Sequence, residues 1–170
     1  MRLFVAVWPS PSVVDDLRWL DRPPHPGVRW TMADQWHVTL QFVGELEDPG
    51  LLTSRVQAAA SGVGPLVAEM GPRSGCLGPS VLCLPVHGLD ALAGAVRAAT
   101  ADLGEPERPD FHGHLTLARV RRGAGSVFKR LPAVELASSW SVEEITVVAS
   151  ALGGTGSTYT IVGHAPLHRP

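Results

Sequence analysis

The chain carries one tetrapeptide pattern twice, HVTL at 37–40 and HLTL at 114–117, with the two histidines 77 residues apart. In each copy apolar residues alternate with a histidine and a threonine. A period of two marks a half-buried strand, on which residues i and i+2 share a face. Val38 and Leu40, like Leu115 and Leu117, therefore point into the protein, and His37/Thr39 and His114/Thr116 occupy the opposite faces. A fold for this chain has to bury one side of two such strands and leave the other side polar.

The surrounding elements come in a repeated order. Leu3–Trp8 is an apolar run closed by Pro9 and Pro11, and predicts a buried strand. Val13, Val14, Leu17 and Leu20 follow at helical spacing behind a Ser10 or Ser12 cap, and His37 comes 33 residues after Phe4. Val81–Val86 predicts a second strand. Leu89, Leu92, Val96, Ala99 and Leu103 give a helix stopped by Gly104, and His114 comes 32 residues after Leu82. A strand–helix–strand unit ending in His-x-Thr thus occurs twice, alike in arrangement but not in sequence. Further strands are expected at Val28–Thr31, Leu66–Met70, Trp140–Leu152 and Tyr159–Val162. A helix is expected along Leu51–Val63, a short one at Ser126–Leu131, and a Gly/Pro/Ser-rich connection between Met70 and Val81. Period-two strands joined by helices, with late hairpins, predict an α+β fold with largely antiparallel sheets.

Composition narrows the function classes. With 170 residues, 45% hydrophobic and 18% charged, the chain suits one domain or two intimately packed halves. A formal net charge of −2 argues against coating long duplexes or RNA by bulk electrostatics, but leaves room for a local phosphate site. No stretch approaches the ~18 apolar residues of a membrane span, and the apolar run near Met1 is shorter than a signal-peptide core. Cys76 and Cys83 lack metal or redox spacing and read as reduced structural thiols, so a cytoplasmic location is expected.

If the two halves are related by a pseudo-twofold axis, both His/Thr pairs face one cleft. Two imidazoles there suit general acid–base chemistry near neutral pH: the neutral one takes a proton, and the protonated one gives a proton to a leaving oxygen. The threonine hydroxyls suit non-bridging phosphate oxygens. This chemistry asks for no metal, no cofactor and no covalent intermediate. One such motif alone also describes an ordinary hydrogen-bonded strand histidine; the doubling favours catalysis. Metal binding is the other reading, because His112 shares a face with His114, but no Asp, Glu or Cys stands at ligand spacing beside either motif. From the residues, which histidine is acid and which is base stays open.

The stretches MRLFVAVW, WHVTLQFVGEL, FHGHLTLARVRR and ITVVASALGGTGSTYTIV resemble the 2H phosphoesterase superfamily. Within it they are most similar to the bacterial and archaeal RNA 2′,3′-cyclic phosphodiesterases, the 2′-5′ RNA ligase-like group. The resemblance runs along essentially the whole chain. It implies a single domain, residues 1–170, made of two pseudo-symmetric lobes around a V-shaped cleft, with helices on the outside. It implies hydrolysis of a 2′,3′-cyclic phosphate end of RNA or a nucleotide to a 2′-phosphomonoester; no obligatory protein partner is evident in the sequence, and a monomer is expected. His37 would be the proton donor to the leaving 3′-oxygen and His114 the acceptor that activates water, with Thr39 and Thr116 holding the phosphate. The reverse reaction, 2′-5′ end joining, uses the same groups with roles exchanged. A related activity on another cyclic-phosphate or oligonucleotide substrate, and a nucleotide-binding module without turnover, are the remaining rivals. Two departures stand out. Gly113 replaces a proline common in relatives, implying a looser turn, and Gln41 stands where relatives are often basic, implying weaker contact with the RNA backbone.

Further residues divide between site and scaffold. Arg119 lies five residues after His114, so alternation aims it away from the cleft unless a bulge returns it to the phosphate. Arg121, Arg122, Lys129 and Arg130 form a basic segment, either a solvated loop or a guide for RNA. Phe4 and Trp36 are candidates for base stacking, worth ~1–3 kcal/mol per base, though Phe4 also suits the core. Ser150 and Tyr159 match the family's tail.

Overall fold

The computed structural model describes residues 1–104, 110–120, 127, 128, 131, 133–153 and 156–168. The first strand, β1 (Arg2–Val7), buries Leu3 through Val7 without interruption, as a strand covered on both faces must. It leads into α1 (Pro11–Arg18), which starts with Pro at its first position and buries Val13 and Leu17. Then come β2 (Val28–Trp30), β3 (Val38–Glu45) and α2 (Pro49–Ala60). Asp48 caps α2 by accepting the Gly50 N–H at 2.8 Å. The chain continues through β4 (Leu66–Met70), β5 (Gly75–Leu77), β6 (Val81–His87), α3 (Asp90–Ala99) and β7 (His114–Val120). It finishes with β8 (Ser138–Val142), β9 (Glu144–Gly153) and β10 (Gly156–Pro166).

The strand pairings among the described residues are antiparallel, in the order β10-β9-β1-β3-β7-β6-β4-β8, with β2 added to β7 and β5 to β6. This is the expected α+β architecture. The order reads alike from its centre outward: β3 and β7 meet in the middle, flanked by β1 and β6, the strands that open the two repeated units. At the seam, Val38 pairs with Leu115.

One apolar cluster runs beneath the sheet and joins both sides of the seam. Leu3, Val5, Val38 and Leu40 meet Leu52 and Val56 of α2, Leu92 and Val96 of α3, and Leu84 and Leu115. Burying each such side chain is worth about 1.5–3 kcal/mol. A smaller cluster, Phe4, Ala6 and Val148 with Trp8 and Tyr159, covers the other face of β1 and β9.

Two expectations are corrected. Trp140–Leu152 is not one strand: β8 pairs with β4 at one end of the sheet, and β9 pairs with β1 and β10 at the other. Adjacent Glu143 and Glu144 interrupt the alternation where the chain changes partners. The connection before Val81 is also not all loop, because Gly75–Leu77 forms a hairpin arm on β6. Most of the expected Ser126–Leu131 helix lies outside the described residues. Cys76 is exposed and Cys83 buried, both as free thiols, and burial pushes the Cys83 thiol up.

Candidate active site

The Val38–Leu115 pairing decides what faces what. Extending its antiparallel register by one residue each way sets His37 across from Thr116, and Thr39 across from His114. The two polar pairs predicted from alternation thus come together on one face of the seam.

Beyond each motif the strand bulges. On β3, Ala6 pairs with Thr39 but Val5 pairs with Gln41, leaving Leu40 as the extra residue. On β7, Cys83 pairs with Thr116 but Leu82 pairs with Ala118, leaving Leu117 extra. Each bulge inverts the alternation, so the fifth residue after each histidine joins the motif's face. These residues are Phe42 and Arg119, which line one pocket with His37 and Thr39. Gln41, two residues after Thr39, turns inward instead. It is 3% exposed, and its amide nitrogen donates to the Phe42 carbonyl. The expected site for a backbone-contacting residue is therefore closed.

Both histidines are held in the same way. His37 Nδ1 lies 2.8 Å from the Gln35 carbonyl and His114 Nδ1 lies 2.7 Å from the His112 carbonyl. A carbonyl only accepts, so Nδ1 carries the N–H and Nε2 is the nitrogen left to gain or lose a proton. Gln35 ends a single 3-10 turn, and its side-chain amide donates to the Ser157 carbonyl at 2.8 Å, fastening the turn to β10. Gly113, just before His114, is packed rather than loose. Its carbonyl accepts the Val86 N–H at 2.8 Å, and a Cβ added there would stand 2.1 Å from the Val86 oxygen.

The two histidines differ in surroundings. His37 sits among aromatic rings, 4.9 Å from Phe4, 5.4 Å from Trp8 and 5.0 Å from Tyr159, which meets it edge-on. Trp8 is anchored by its indole N–H, which donates to Thr146 Oγ1 at 2.8 Å. Burial in this box is the main reason that the His37 pKa falls from 6.5 to about 4. The Gln35 carbonyl opposes the fall, while the positive charge of Arg119 and the proximity of His114 add to it. At neutral pH and without ligand, His37 is neutral.

The pocket beside His37 measures about 390 Å³, within the ~300–1,000 Å³ usual for small-ligand sites. Arg2 and Arg29 line it besides Arg119, together with Tyr159 and Ser150; His114 and Thr116 stand across the seam, outside its lining. Arg2, Arg29 and Phe42 are not among the site residues expected from the sequence. Alternation back from Phe4 reaches Arg2, so that residue was legible, whereas Phe42 needed the bulge and Arg29 needed the β2–β7 pairing. Trp36 is corrected as a stacking candidate. It is 2% exposed, its indole N–H donates to Thr31 Oγ1 at 3.1 Å, and Arg22 covers its ring at 5.5 Å. Phe4, 3% exposed, packs on His37 and Tyr159 and has no free face for a base. Arg121, Arg122, Lys129 and Arg130 lie outside the described residues. Among the described residues no group of three or more His, Cys, Asp or Glu side chains is placed to hold a metal ion.

No family model and no curated protein matches the chain. Solved structures do. TT0787 of Thermus thermophilus superposes with a TM-score of 0.84 at 26% identity, covering 99% of both chains. E. coli LigT in complex with 3′-AMP superposes with a TM-score of 0.75 at 26% identity, covering 99% of this chain and 98% of that one. The same protein in complex with NADP+ gives 0.77 at 26% identity, covering 98% and 97%. With this fold matched from end to end, and with two His-x-Thr strands meeting at its central seam, the chain belongs to the 2H phosphoesterase superfamily.

Proposed function

We propose that this phosphoesterase-type enzyme opens the 2′,3′-cyclic phosphate at the end of an RNA or nucleotide, leaving a 2′-phosphomonoester. The observation that supports this most is the seam register, which sets each histidine across from the other motif's threonine. A phosphate at that point meets two hydroxyls and two imidazoles at once. Nothing in the reading calls for a metal or a cofactor.

In the proposed step His114 Nε2 takes a proton from water as the water oxygen bonds to phosphorus. The bond between phosphorus and the 3′-oxygen breaks, and His37 Nε2 gives its proton to that oxygen. Thr39 and Thr116 donate to the non-bridging oxygens, and Arg119 offsets their charge. His37 needs a proton that the free site withholds. The substrate supplies the condition: a phosphate anion about 5 Å away contributes roughly 3 kcal/mol at an effective dielectric of 20, where 1.36 kcal/mol corresponds to one pH unit. Substrate binding thereby loads the acid.

One observation favours a second assignment. His37 is neutral when free, as a base should be, so His37 accepting and His114 donating is the alternative. Both versions act on the same bond. The reading is tested by incubating a 2′,3′-cyclic nucleotide with the protein in EDTA. Hydrolysis at an undiminished rate is expected; loss that an added divalent cation restores would overturn the metal-independent step.

A further inference from the structure

The pocket that begins at His37 does not end there. Arg2 and Phe4 alternate on one face of β1, two residues or about 6.6 Å apart. The Phe4 ring backs His37, so Arg2 lies one strand step farther from the reacting phosphate. Its guanidinium rests on the Phe42 ring, 4.9 Å from the centroid. Stacking occupies the flat face of a guanidinium and leaves its N–H groups in the plane, ready for an anion.

The charges around Arg2 point the same way. Arg29 stands directly opposite Arg119 in the β2–β7 pair, and both line this pocket with Arg2. Two guanidinium groups are thereby set side by side at the pocket. Arg29 reaches over β10 where Gly156 leaves room, since a Cβ there would stand 1.8 Å from its Nη1. Among the described residues no carboxylate lines the pocket, and Glu45, the partner of Arg2 across β1–β3, is bonded to the terminal amine at 2.9 Å. Three arginines converge in a protein of net charge −2.

We infer that this pocket is a second anion subsite, in which Arg2, flanked by Arg29, holds the phosphate on the 5′-oxygen of the terminal nucleoside while Arg119 stays on the reacting phosphate. The nucleoside bridges the two phosphates within the pocket that Phe42 and Tyr159 both line. The inference rests on the proposed function for its first phosphate, and it narrows the substrate class. The preferred ligand carries two phosphates, as a terminal nucleotide of an RNA or a 5′-phosphorylated nucleotide does. A bare nucleoside cyclic phosphate fills only half of the site.

The test is equilibrium binding, in which no bond breaks. Adenosine 3′-monophosphate, adenosine 3′,5′-bisphosphate and the dinucleotide ApAp are titrated calorimetrically into the native protein and into Arg2→Gln and Arg2→Lys. The bisphosphate is expected to bind the native protein about tenfold or more tightly than the monophosphate. In Arg2→Gln the ratio should fall close to one, with Arg2→Lys between. ApAp matching the bisphosphate identifies an RNA chain as the source of the second phosphate; the bisphosphate alone binding tightly identifies a free nucleotide. Equal affinities for one and two phosphates in the native protein, or a ratio that survives in Arg2→Gln, would overturn the subsite. A protein that showed the ratio but opened no cyclic phosphate would keep the subsite and lose the proposed reaction.

Discussion

Val38 and Leu115 pair across the seam between β3 and β7, and on that one pairing the relation of His37 to His114 depends. Both side chains are fully buried, locked into the cluster that α2 and α3 cover. The polar residues beside them ride on a fixed backbone. The geometry of the candidate site is thus set by apolar packing on the other face of the same strands.

Replacing either histidine by alanine should cost about 10²–10⁴-fold in kcat/KM on a 2′,3′-cyclic nucleotide, the usual worth of a positioned acid or base. Thermal melting should change little in His114→Ala and fall modestly in His37→Ala, which leaves a gap among Phe4, Trp8 and Tyr159. A phosphodiester with a 4-nitrophenol leaving group separates the roles, since such a group departs without a proton. It should restore most of the lost rate in His37→Ala and little in His114→Ala. Restoration in His114→Ala alone would exchange the two assignments.

The pH dependence of kcat/KM should be bell-shaped, with its acid limb near the His37 value of about 4. A profile with one limb would contradict paired acid–base catalysis.

The same shift acts on stability. The folded pKa of about 4 lies below the unfolded value of 6.5, so between these the unfolded chain binds more protons. The contribution is complete above pH 6.5 and is lost as the pH falls through 4. It amounts to roughly 3 kcal/mol. Urea unfolding at pH 4.5 and pH 7 should show that difference in the native protein and a smaller one in His37→Asn. Equal pH dependence in the two proteins would refute the buried, neutral His37.

Gly113→Ala should impair catalysis beyond its effect on stability, because the added Cβ meets the Val86 carbonyl at 2.1 Å and pushes the residue preceding His114 off β6. Kinetics and melting on the same sample check this; wild-type kcat/KM would show that the close approach does not position His114.

Much of this architecture was legible in the sequence because local patterns carried it. Leu66–Met70 matches β4 end to end, and the three long helices followed from apolar spacing. The His-x-Thr faces followed from a period of two. The pattern failed one residue past each motif, at Leu40 and Leu117. There the partner strand sets the register, and no local feature of LQF or LAR announces a bulge. Hence alternation aims Gln41 at the substrate when it is buried, passes over Phe42, and leaves the cleft position of Arg119 to the β6–β7 register. Trp36 escapes the pattern for a similar reason, since its partners Thr31 and Arg22 are loop neighbours that alternation does not predict.

The most direct measurement is product analysis on an oligoribonucleotide ending in a 2′,3′-cyclic phosphate. Opening by the proposed step leaves a 2′-phosphate end, formed with His37 and His114 intact and absent when either is alanine. A 3′-phosphate end, or an untouched cyclic end, would contradict it.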